Sequence, residues 1–285
     1  MSKNRKDAKL IGNLTSTQKV MYYLKKKRCD SDVYINMKVD MTNAIKYIEK
    51  QKESGKHITY FHFFSAALIK TIYNRPLLNR FVMPGGKVYE HNDVSLGFVA
   101  KVKFEDYSAE YLVVEHFGKN DNIFDVSDKL SKTVEHLRKN NKNNTDKTAD
   151  VLAKLPRWFF NIIMGILKFM DNHDLIPTKL TENSIYHSSA IVSNLGSFKS
   201  SSIYHNLTDF GTSSSLITMG AVHKEPVVND NGELEVRDIC DFGINLDERI
   251  GDGYYFVKSM KLFEYLITHP ELLELPLGDE LTIDE

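Results

Sequence analysis

The sequence predicts an α/β fold, a two-layer sandwich in which helices pack on a mixed β-sheet. Helical and strand patterns are interspersed along 285 residues, with no convincing linker and no internal repeat. Some strand patterns follow one another directly through turn signals, as in antiparallel hairpins, and others are separated by long helical patterns. A mixed sheet covered by helices accounts for both kinds of connection. One domain is therefore expected.

The elements of the first half follow from caps and periodicity. The run Thr15-Ser16-Thr17 is expected to cap a helix that continues to about Lys27, and the alternation over residues 33–39 predicts a half-buried strand. Two helices are predicted over residues 41–55 and 60–73, the second ending before Pro76. Further strands are predicted at residues 81–83, 87–89, 94–102 and 111–117.

The second half continues the alternation. Helices are predicted at residues 123–138, 150–171 and 254–268, and strands at 189–193, 218–222 and 235–246. A hairpin signal runs from Asn229 to Gly232. The Asn-rich stretch 139–148 is expected to be a mobile loop. Residues 1–14 are interpreted as an N-terminal extension, 15–275 as the domain and 276–285 as an acidic tail.

Composition excludes several classes of protein. The net charge is −1, and both the basic N-terminus (Lys3, Arg5, Lys6, Lys9) and the acidic tail are interpreted as solvated ends, so nucleic acid is not expected as a partner. The two cysteines lack metal-ligand spacing, and no metal is expected. No secretory signal is recognised, and the most apolar window is about 13 residues where a transmembrane helix needs about 20. A cytoplasmic protein is expected.

The predicted helix 150–171 is unusually apolar. Its large side chains recur at helical spacing, which favours a helix buried on the domain or at a subunit contact. Two alternatives are a lid over a ligand pocket and a patch that lies on a membrane surface. The small number of positive charges argues against the membrane.

The most informative stretch is residues 247–253, Asp-Glu-Arg-Ile-Gly-Asp-Gly, between the last strand and the last helix. It resembles the D-H-R-x-x-D-G signature of chloramphenicol acetyltransferases and of the dihydrolipoyl acyltransferase catalytic core. In that family the histidine is the general base of acyl transfer, and Glu248 stands at its position. The resemblance implies that Asp252 pairs with an arginine and shapes the loop, with Arg28, Arg249 and Arg237 as candidates. Asp252 also fits an ordinary N-cap, and Gly253 is expected to permit a tight turn.

Three other stretches carry the resemblance, which covers roughly residues 15–270. Residues 76–79 look like the family's P-x-x-N segment, residues 193–198 like its S-N-L-G run, and residues 218–220 like its T-M-G run. The resemblance implies that the Ser193 hydroxyl stabilises the oxyanion of the tetrahedral intermediate and that Thr218 holds a water beside it. Asn194, Gly196 and Gly253 are assigned to substrate binding. From the residues alone, a strand that ends in a turn explains the Ser193 run, and backbone requirements explain Pro76 and Asn79.

Glu248 leaves three accounts open. The chain has kept the fold but lost the base; or Glu248 is itself the base, its pKa raised by burial; or a histidine from elsewhere replaces it. His223, His205 and His187 lie nearest in sequence to the matched motifs. Glu248 could also simply pair with Arg249 on a solvated turn.

The resemblance implies a homotrimer whose active site lies between subunits, with coenzyme A and a small-molecule acceptor entering from opposite ends. The expected function is that of a stand-alone acyltransferase that uses acyl-coenzyme A. The chain has room for the catalytic core but not for the lipoyl and subunit-binding domains of complete dihydrolipoyl acyltransferases, and the H-H-x-x-x-D-G run of the antibiotic acetyltransferases is absent. The alternative is a catalytically degenerate trimeric relative that binds coenzyme A thioesters or a protein partner.

Overall fold

The computed structural model of the chain describes residues 4–101, 110–140, 156–229 and 231–281. The strands are β1 (Ala8–Leu10), β2 (Asp32–Asp40), β3 (Arg80–Met83), β4 (Lys87–His91), β5 (Val94–Lys101), β6 (Glu110–Phe117), β7 (Ala190–Asn194), β8 (Ser215–Met219), β9 (His223–Val228) and β10 (Leu234–Asp247). The helices are α1 (Ser16–Leu24), α2 (Thr42–Glu53), α3 (Tyr60–Asn74), α4 (Ile123–Asn140), α5 (Arg157–Asn172), α6 (Thr178–Thr181) and α7 (Gly253–Thr268). The predicted elements therefore exist, with ends that shift by a few residues.

The main sheet is mixed, as predicted. In the described residues it has seven strands, ordered β2-β10-β8-β7-β5-β6, with β9 paired to the first half of β10. Strand β7 is parallel to both of its neighbours, β5 and β8, and the other pairs are antiparallel. The predicted α/β sandwich is confirmed.

Helices α2, α3, α4 and α7 cover one face of this sheet. The alternating sequence of strand β10 explains how the sheet packs on the helices, because every second residue, Phe242, Ile244 and Leu246, is buried on the helical side. Phe242 stacks on Phe64 of α3 with ring centroids 5.6 Å apart and meets Phe263 of α7 edge-on at 5.3 Å. These aromatic contacts fix the helices on the sheet. The intervening residues of β10 face the opposite side.

A second sheet of three strands, β1-β4-β3, was not predicted. The segment interpreted as an N-terminal extension supplies its first strand. The interpretation of Arg5 as a solvated residue is wrong, since Arg5 is buried and its guanidinium donates to the carboxylate of Asp171 at 3.1 Å and to the Asp171 carbonyl at 2.8 Å. A buried cation requires such a partner, and one 166 residues away cannot be read from local pattern.

Residues 76–79 form a 3₁₀ turn at the end of α3. The buried amide of Asn79 donates to the Asp93 carbonyl at 2.9 Å and to the His91 carbonyl at 3.4 Å. These contacts support the structural interpretation of this stretch. The hairpin between β9 and β10 is confirmed, with the Gly232 amide donating to the Asn229 carbonyl at 2.9 Å and Gly232 at φ +80°.

Helix α5 is exposed, so burial of this helix on its own domain, one of the two favoured interpretations, is wrong. Trp158 keeps 66% of its surface, Ile166 53% and Phe169 57%, and Asp171 is the helix's buried residue. Residues 150–155 of the predicted helix and residues 141–148 of the predicted mobile loop lie outside the described residues. The subunit contact, the lid and the membrane patch remain predictions.

Candidate functional site

Ser193 and Thr218 are direct neighbours on parallel strands. The register of β7 and β8 pairs them, and Thr218 in turn pairs with Gly243 of β10. All three residues lie on the face opposite the helices, because Val192 and Ile217, the residues that precede them, point into the core. The sheet therefore brings together the two hydroxyl residues that the sequence singled out.

Ser193 opens onto a cavity of about 490 Å³. Its walls are mostly apolar and include Phe61, Phe98, Leu195, Phe198 and Ile203. Asn194 lines this cavity and also a second one of about 700 Å³, where Gly196 lies. A Cβ at Gly196 would come within 2.8 Å of the Gly220 carbonyl, so only glycine fits there. Apolar walls with a few polar groups are typical of small-molecule sites.

An irregular segment, Ser200–Leu207, crosses the sheet beside this cavity; it is called the crossing segment below. The Ala221 amide donates to the Ser200 carbonyl at 2.8 Å, and the His205 amide donates to the side chain of Asn245 at 3.1 Å. Two glycines make room for it. A Cβ at Gly243 would lie 2.3 Å from the Ile203 carbonyl oxygen, and one at Gly220 would lie 2.7 Å from the Ser202 nitrogen. A glycine inside a strand, such as Gly243 in β10, often marks a close approach of another backbone. This glycine is the signal in the sequence that could have indicated the crossing segment.

The Thr218 hydroxyl is buried and engaged with the crossing segment. It donates to the carbonyl of Ile203 and accepts from the amide of Ile203 at 3.2 Å. The predicted role of Thr218 beside an oxyanion stays a prediction. Its visible contacts place the crossing segment against the sheet.

Glu248 lies in the turn that follows β10, in an ion pair with Lys25 at the end of α1. Both side chains are about one-third exposed, at 34% for Glu248 and 36% for Lys25. Arg249 points the other way, into the protein, where its guanidinium donates to both carboxylate oxygens of Asp247 at 2.7 and 2.8 Å. It also donates to the Lys26 carbonyl at 3.1 Å, which ties the end of α1 to the Glu248 turn. Sequence reasoning missed Lys25, since nothing local links two residues 223 positions apart.

Asp252 is the N-cap of α7, as the simpler interpretation predicted. Its carboxylate accepts from the Tyr255 amide at 2.8 Å. The three candidate arginines contact other acids: Arg249 and Arg28 approach Asp247, at 2.7 and 3.7 Å, and Arg237 binds Asp40 and Glu235. The requirement for glycine at 253 is wrong, because Gly253 begins the helix without a positive φ and a Cβ there would meet nothing within 4 Å.

One chain does not bring Ser193 and Glu248 together. Ser193 is level with Gly243 in the sheet, and Glu248 lies five residues further along, past the end of β10. At about 3.3 Å per residue, this separation is about 17 Å along the strand alone. A site that uses both residues requires two copies of the chain, as the resemblance implies.

The three candidate histidines lie in different places. His205 lines the Ser193 cavity. His187 is buried, with its ring nitrogens 3.0 Å from the Ser184 hydroxyl and 3.3 Å from the Asp171 carboxylate. His223 is exposed on β9, with ring nitrogens 3.1 Å from the Ala221 carbonyl and 3.3 Å from the Glu225 carboxylate.

Among the described residues, one group of side chains has a spacing that could hold a metal ion. It consists of His223, Glu225 and Asp241, whose ligand atoms lie within 4.8 Å of one another. Glu225 is also paired with Lys38 at 2.6 Å, which makes this group part of an ion-pair network on the sheet surface. No metal was expected from the sequence, and none is assigned to this group.

Asp32 is an acid near the site that sequence reasoning missed. It pairs with Asp247 across β2 and β10 and accepts from the Leu207 amide at 3.4 Å, at the end of the crossing segment. Burial raises the pKa of Asp32 to about 6, and the facing carboxylate of Asp247 adds to the rise. Two carboxylates opposite each other in a sheet are destabilising unless cations intervene, and Arg28 and Arg249 provide them.

Comparisons with known proteins agree with the predicted resemblance. Residues 174–275 match the family described as 2-oxoacid dehydrogenases acyltransferase (catalytic domain). The lipoamide acyltransferase component of the branched-chain alpha-keto acid dehydrogenase complex of Bacillus subtilis (strain 168) is 25% identical over 226 residues, which are 76% of this chain and 42% of that protein. The chain thus spans less than half the length of this curated relative.

Solved structures share the fold over nearly the whole chain. The dihydrolipoamide acetyltransferase of Azotobacter vinelandii superposes with a TM-score of 0.61 at 13% identity, covering 93% of this chain and 94% of that one. A chloramphenicol acetyltransferase superposes with a TM-score of 0.53 at 11% identity, covering 92% and 98%. No helix in the described ranges is both long enough and apolar enough to cross a membrane. By its matched region and its fold, the chain is related to the catalytic domain of the 2-oxoacid dehydrogenase acyltransferases and has the chloramphenicol acetyltransferase fold.

Proposed function

We propose that this chain transfers an acyl group from acyl-coenzyme A to a small acceptor. One observation carries the proposal: Ser193 lies at the penultimate position of a parallel strand and lines a mostly apolar cavity of about 490 Å³. The Ser193 hydroxyl would donate to the oxygen on which negative charge develops when a nucleophile attacks the thioester carbonyl. Asn194 and Gly196 would line the path of the substrate.

The proposed enzyme is a cytoplasmic homotrimer. The separation of Ser193 from Glu248 within one chain supports a site built between neighbouring copies, in which the Glu248 turn of one copy faces Ser193 of the next. In the Azotobacter enzyme a serine, a histidine and an asparagine have been studied for their roles in catalysis. By motif order, Ser193, Glu248 and Asp252 would correspond to them, with Asp252 holding the start of α7 and Gly253 following it.

Release of coenzyme A from acetyl-coenzyme A, with dihydrolipoamide as acceptor, tests the proposal. The expected result is turnover by the wild type and a loss of about 10²–10³-fold in kcat for Ser193→Ala, because one oxyanion donor is removed. Ser201→Ala, an exposed serine of the crossing segment, is the matched control and should retain the wild-type rate. Equal rates for Ser193→Ala and wild type would refute the assigned role of Ser193.

A second candidate function is that of a non-catalytic relative that binds coenzyme A thioesters or a protein partner. The Lys25–Glu248 ion pair favours it, because the carboxylate that replaces the family's base already accepts from an ammonium group. Coenzyme A should then raise the thermal unfolding midpoint by binding the native state, with no thioester consumed. A Glu248→His variant that gains activity would show that the rest of the site is intact. A loss of activity in Glu248→Gln would instead identify Glu248 as the base.

A further inference from the structure

The cavity beside Ser193 contains a titratable group that the family comparison does not predict. His205 lines this cavity together with Ser193, and both residues belong to the same chain. Acyl transfer needs a proton acceptor near the oxyanion donor, since the attacking hydroxyl, thiol or amine must lose its proton. A neutral imidazole is the usual group for this step.

The backbone around His205 is held in place on both sides. The His205 amide donates to Asn245 at 3.1 Å, and two residues earlier Ile203 exchanges two hydrogen bonds with Thr218. Two residues later the Leu207 amide donates to Asp32 at 3.4 Å. A catalytic group must be positioned by contacts of this kind if it is to transfer a proton at a fixed distance.

The imidazole itself is available. Throughout residues 4–101, 110–140, 156–229 and 231–281, no hydrogen bond to the ring of His205 is found, and the side chain is exposed. The rings of His187 and His223 are each bound to an acid, and neither residue lines the Ser193 cavity. Glu248 is paired with Lys25 and lies beyond the far end of β10.

From this arrangement we infer that His205 is the general base for Ser193's site and that it acts within one chain. The inference rests on the proposed acyl transfer. A ring nitrogen of His205 takes the proton of the acceptor as the acceptor atom bonds to the thioester carbon, and the carbonyl electron pair moves to oxygen, where Ser193 donates to it. When the carbonyl re-forms, the carbon–sulfur bond breaks, and the thiolate of coenzyme A takes the proton from the imidazolium. Histidine and serine are both regenerated.

The test compares His205→Asn with His223→Asn, a matched change at a histidine outside the cavity. Release of coenzyme A from acetyl-coenzyme A to dihydrolipoamide is measured for both variants and for the wild type. His205→Asn should lose about 10²–10⁴-fold in kcat with little change in KM for acetyl-coenzyme A, the range expected for loss of a general base. His223→Asn should match the wild type.

A rescue experiment separates chemistry from structure. In His205→Gly, added imidazole should restore part of the lost rate, because it fills the space of the missing ring; a purely structural role for His205 would give no rescue. An active wild type with an unaffected His205→Asn, or a His205→Gly variant that imidazole does not rescue, overturns this inference and leaves the proposed function standing. A wild type that releases no coenzyme A overturns both.

Discussion

Thr218 holds Ile203 by both of its backbone polar groups, accepting from the amide at 3.2 Å and donating to the carbonyl. The Thr218 side chain thus makes the two hydrogen bonds to Ile203 that the backbone of a neighbouring strand would normally make. The arrangement fixes the crossing segment over Gly243, where any side chain larger than that of glycine would collide with the Ile203 carbonyl. Thr218 therefore influences the cavity indirectly, through the position of the residues that follow Ile203.

This relationship predicts that Thr218→Val destabilises the protein although the two side chains have nearly the same shape. The variant leaves the Ile203 amide and carbonyl without their partner, at a cost of about 1–3 kcal/mol in the free energy of unfolding. Thr218→Ser keeps the hydroxyl and should cost less. Urea unfolding of the three proteins measures the difference. Equal stability of the valine and serine variants would show that these hydrogen bonds do not hold the segment.

The buried pair of Asp247 and Arg249 gives a second prediction. Replacing Arg249 with methionine removes the guanidinium from the Asp247 carboxylate, which has no exposed surface and keeps the backbone amide of residue 249 at 3.1 Å and the Arg28 guanidinium at 3.7 Å. The expected loss is about 3–5 kcal/mol in the free energy of unfolding. Lys224→Met, which removes an exposed ion pair with Asp238, is the control and should cost less than about 1 kcal/mol. Similar losses in the two variants would contradict the argument.

Asp32 predicts an unusual dependence of stability on pH. Burial raises its pKa to about 6, whereas the same carboxyl in an unfolded chain titrates near 4. Between about pH 4 and pH 6 the folded protein therefore retains a proton that the unfolded chain releases, so this group lowers the free energy of unfolding as the pH rises through that window.

Asp32→Asn removes this effect. The variant should be more stable than the wild type by about 1 kcal/mol at pH 7, after allowance for solvent screening of a partly exposed side chain. Below about pH 4 the carboxyl is protonated in both states, and the gain should vanish. Urea unfolding at the two pH values measures both. A gain that is the same at both would mean that the carboxyl is not the cause.

Assembly gives the fourth prediction. Light scattering should give three times the 32.7 kDa mass of one chain, because a site that includes both Ser193 and Glu248 needs neighbouring copies. If α5 lies at the subunit contact, Ile166→Lys should dissociate the trimer, since a charge would have to be buried. Val236→Lys, at another exposed apolar position on β10, is the control. If the trimer persists in Ile166→Lys, the subunit contact is excluded for α5, and the lid and the membrane patch remain as its possible roles. A monomeric wild type would exclude a site shared between copies.

The regular elements could be predicted because each has its own periodicity and caps. Strand β10 alternates along its second half, and α1 begins at Thr15, whose hydroxyl accepts from the Gln18 amide at 3.3 Å, as its capping residues indicate. The neighbouring positions of Ser193 and Thr218 followed from family order. In each case the information is contained in a short stretch of chain.

The parts that could not be predicted depend on contacts between distant residues. The crossing segment has no backbone ladder of its own and takes its position from Thr218, Asn245 and Asp32. The predicted need for glycine at position 253 is wrong, since Asp252 has an ordinary extended conformation at φ −93° and caps the helix without help from glycine. Long-range side-chain contacts leave no periodic trace in a single sequence.

The clasp between Arg5 and Asp171 determines where anything joined to the N-terminus would emerge. Because it joins Arg5 to the last turn of α5, a purification tag or fused module attached ahead of residue 4 would start near that turn, where Phe169 is exposed. Such an attachment would shield or crowd that side chain. For measurements of self-association, a tag is therefore better placed at the C-terminus.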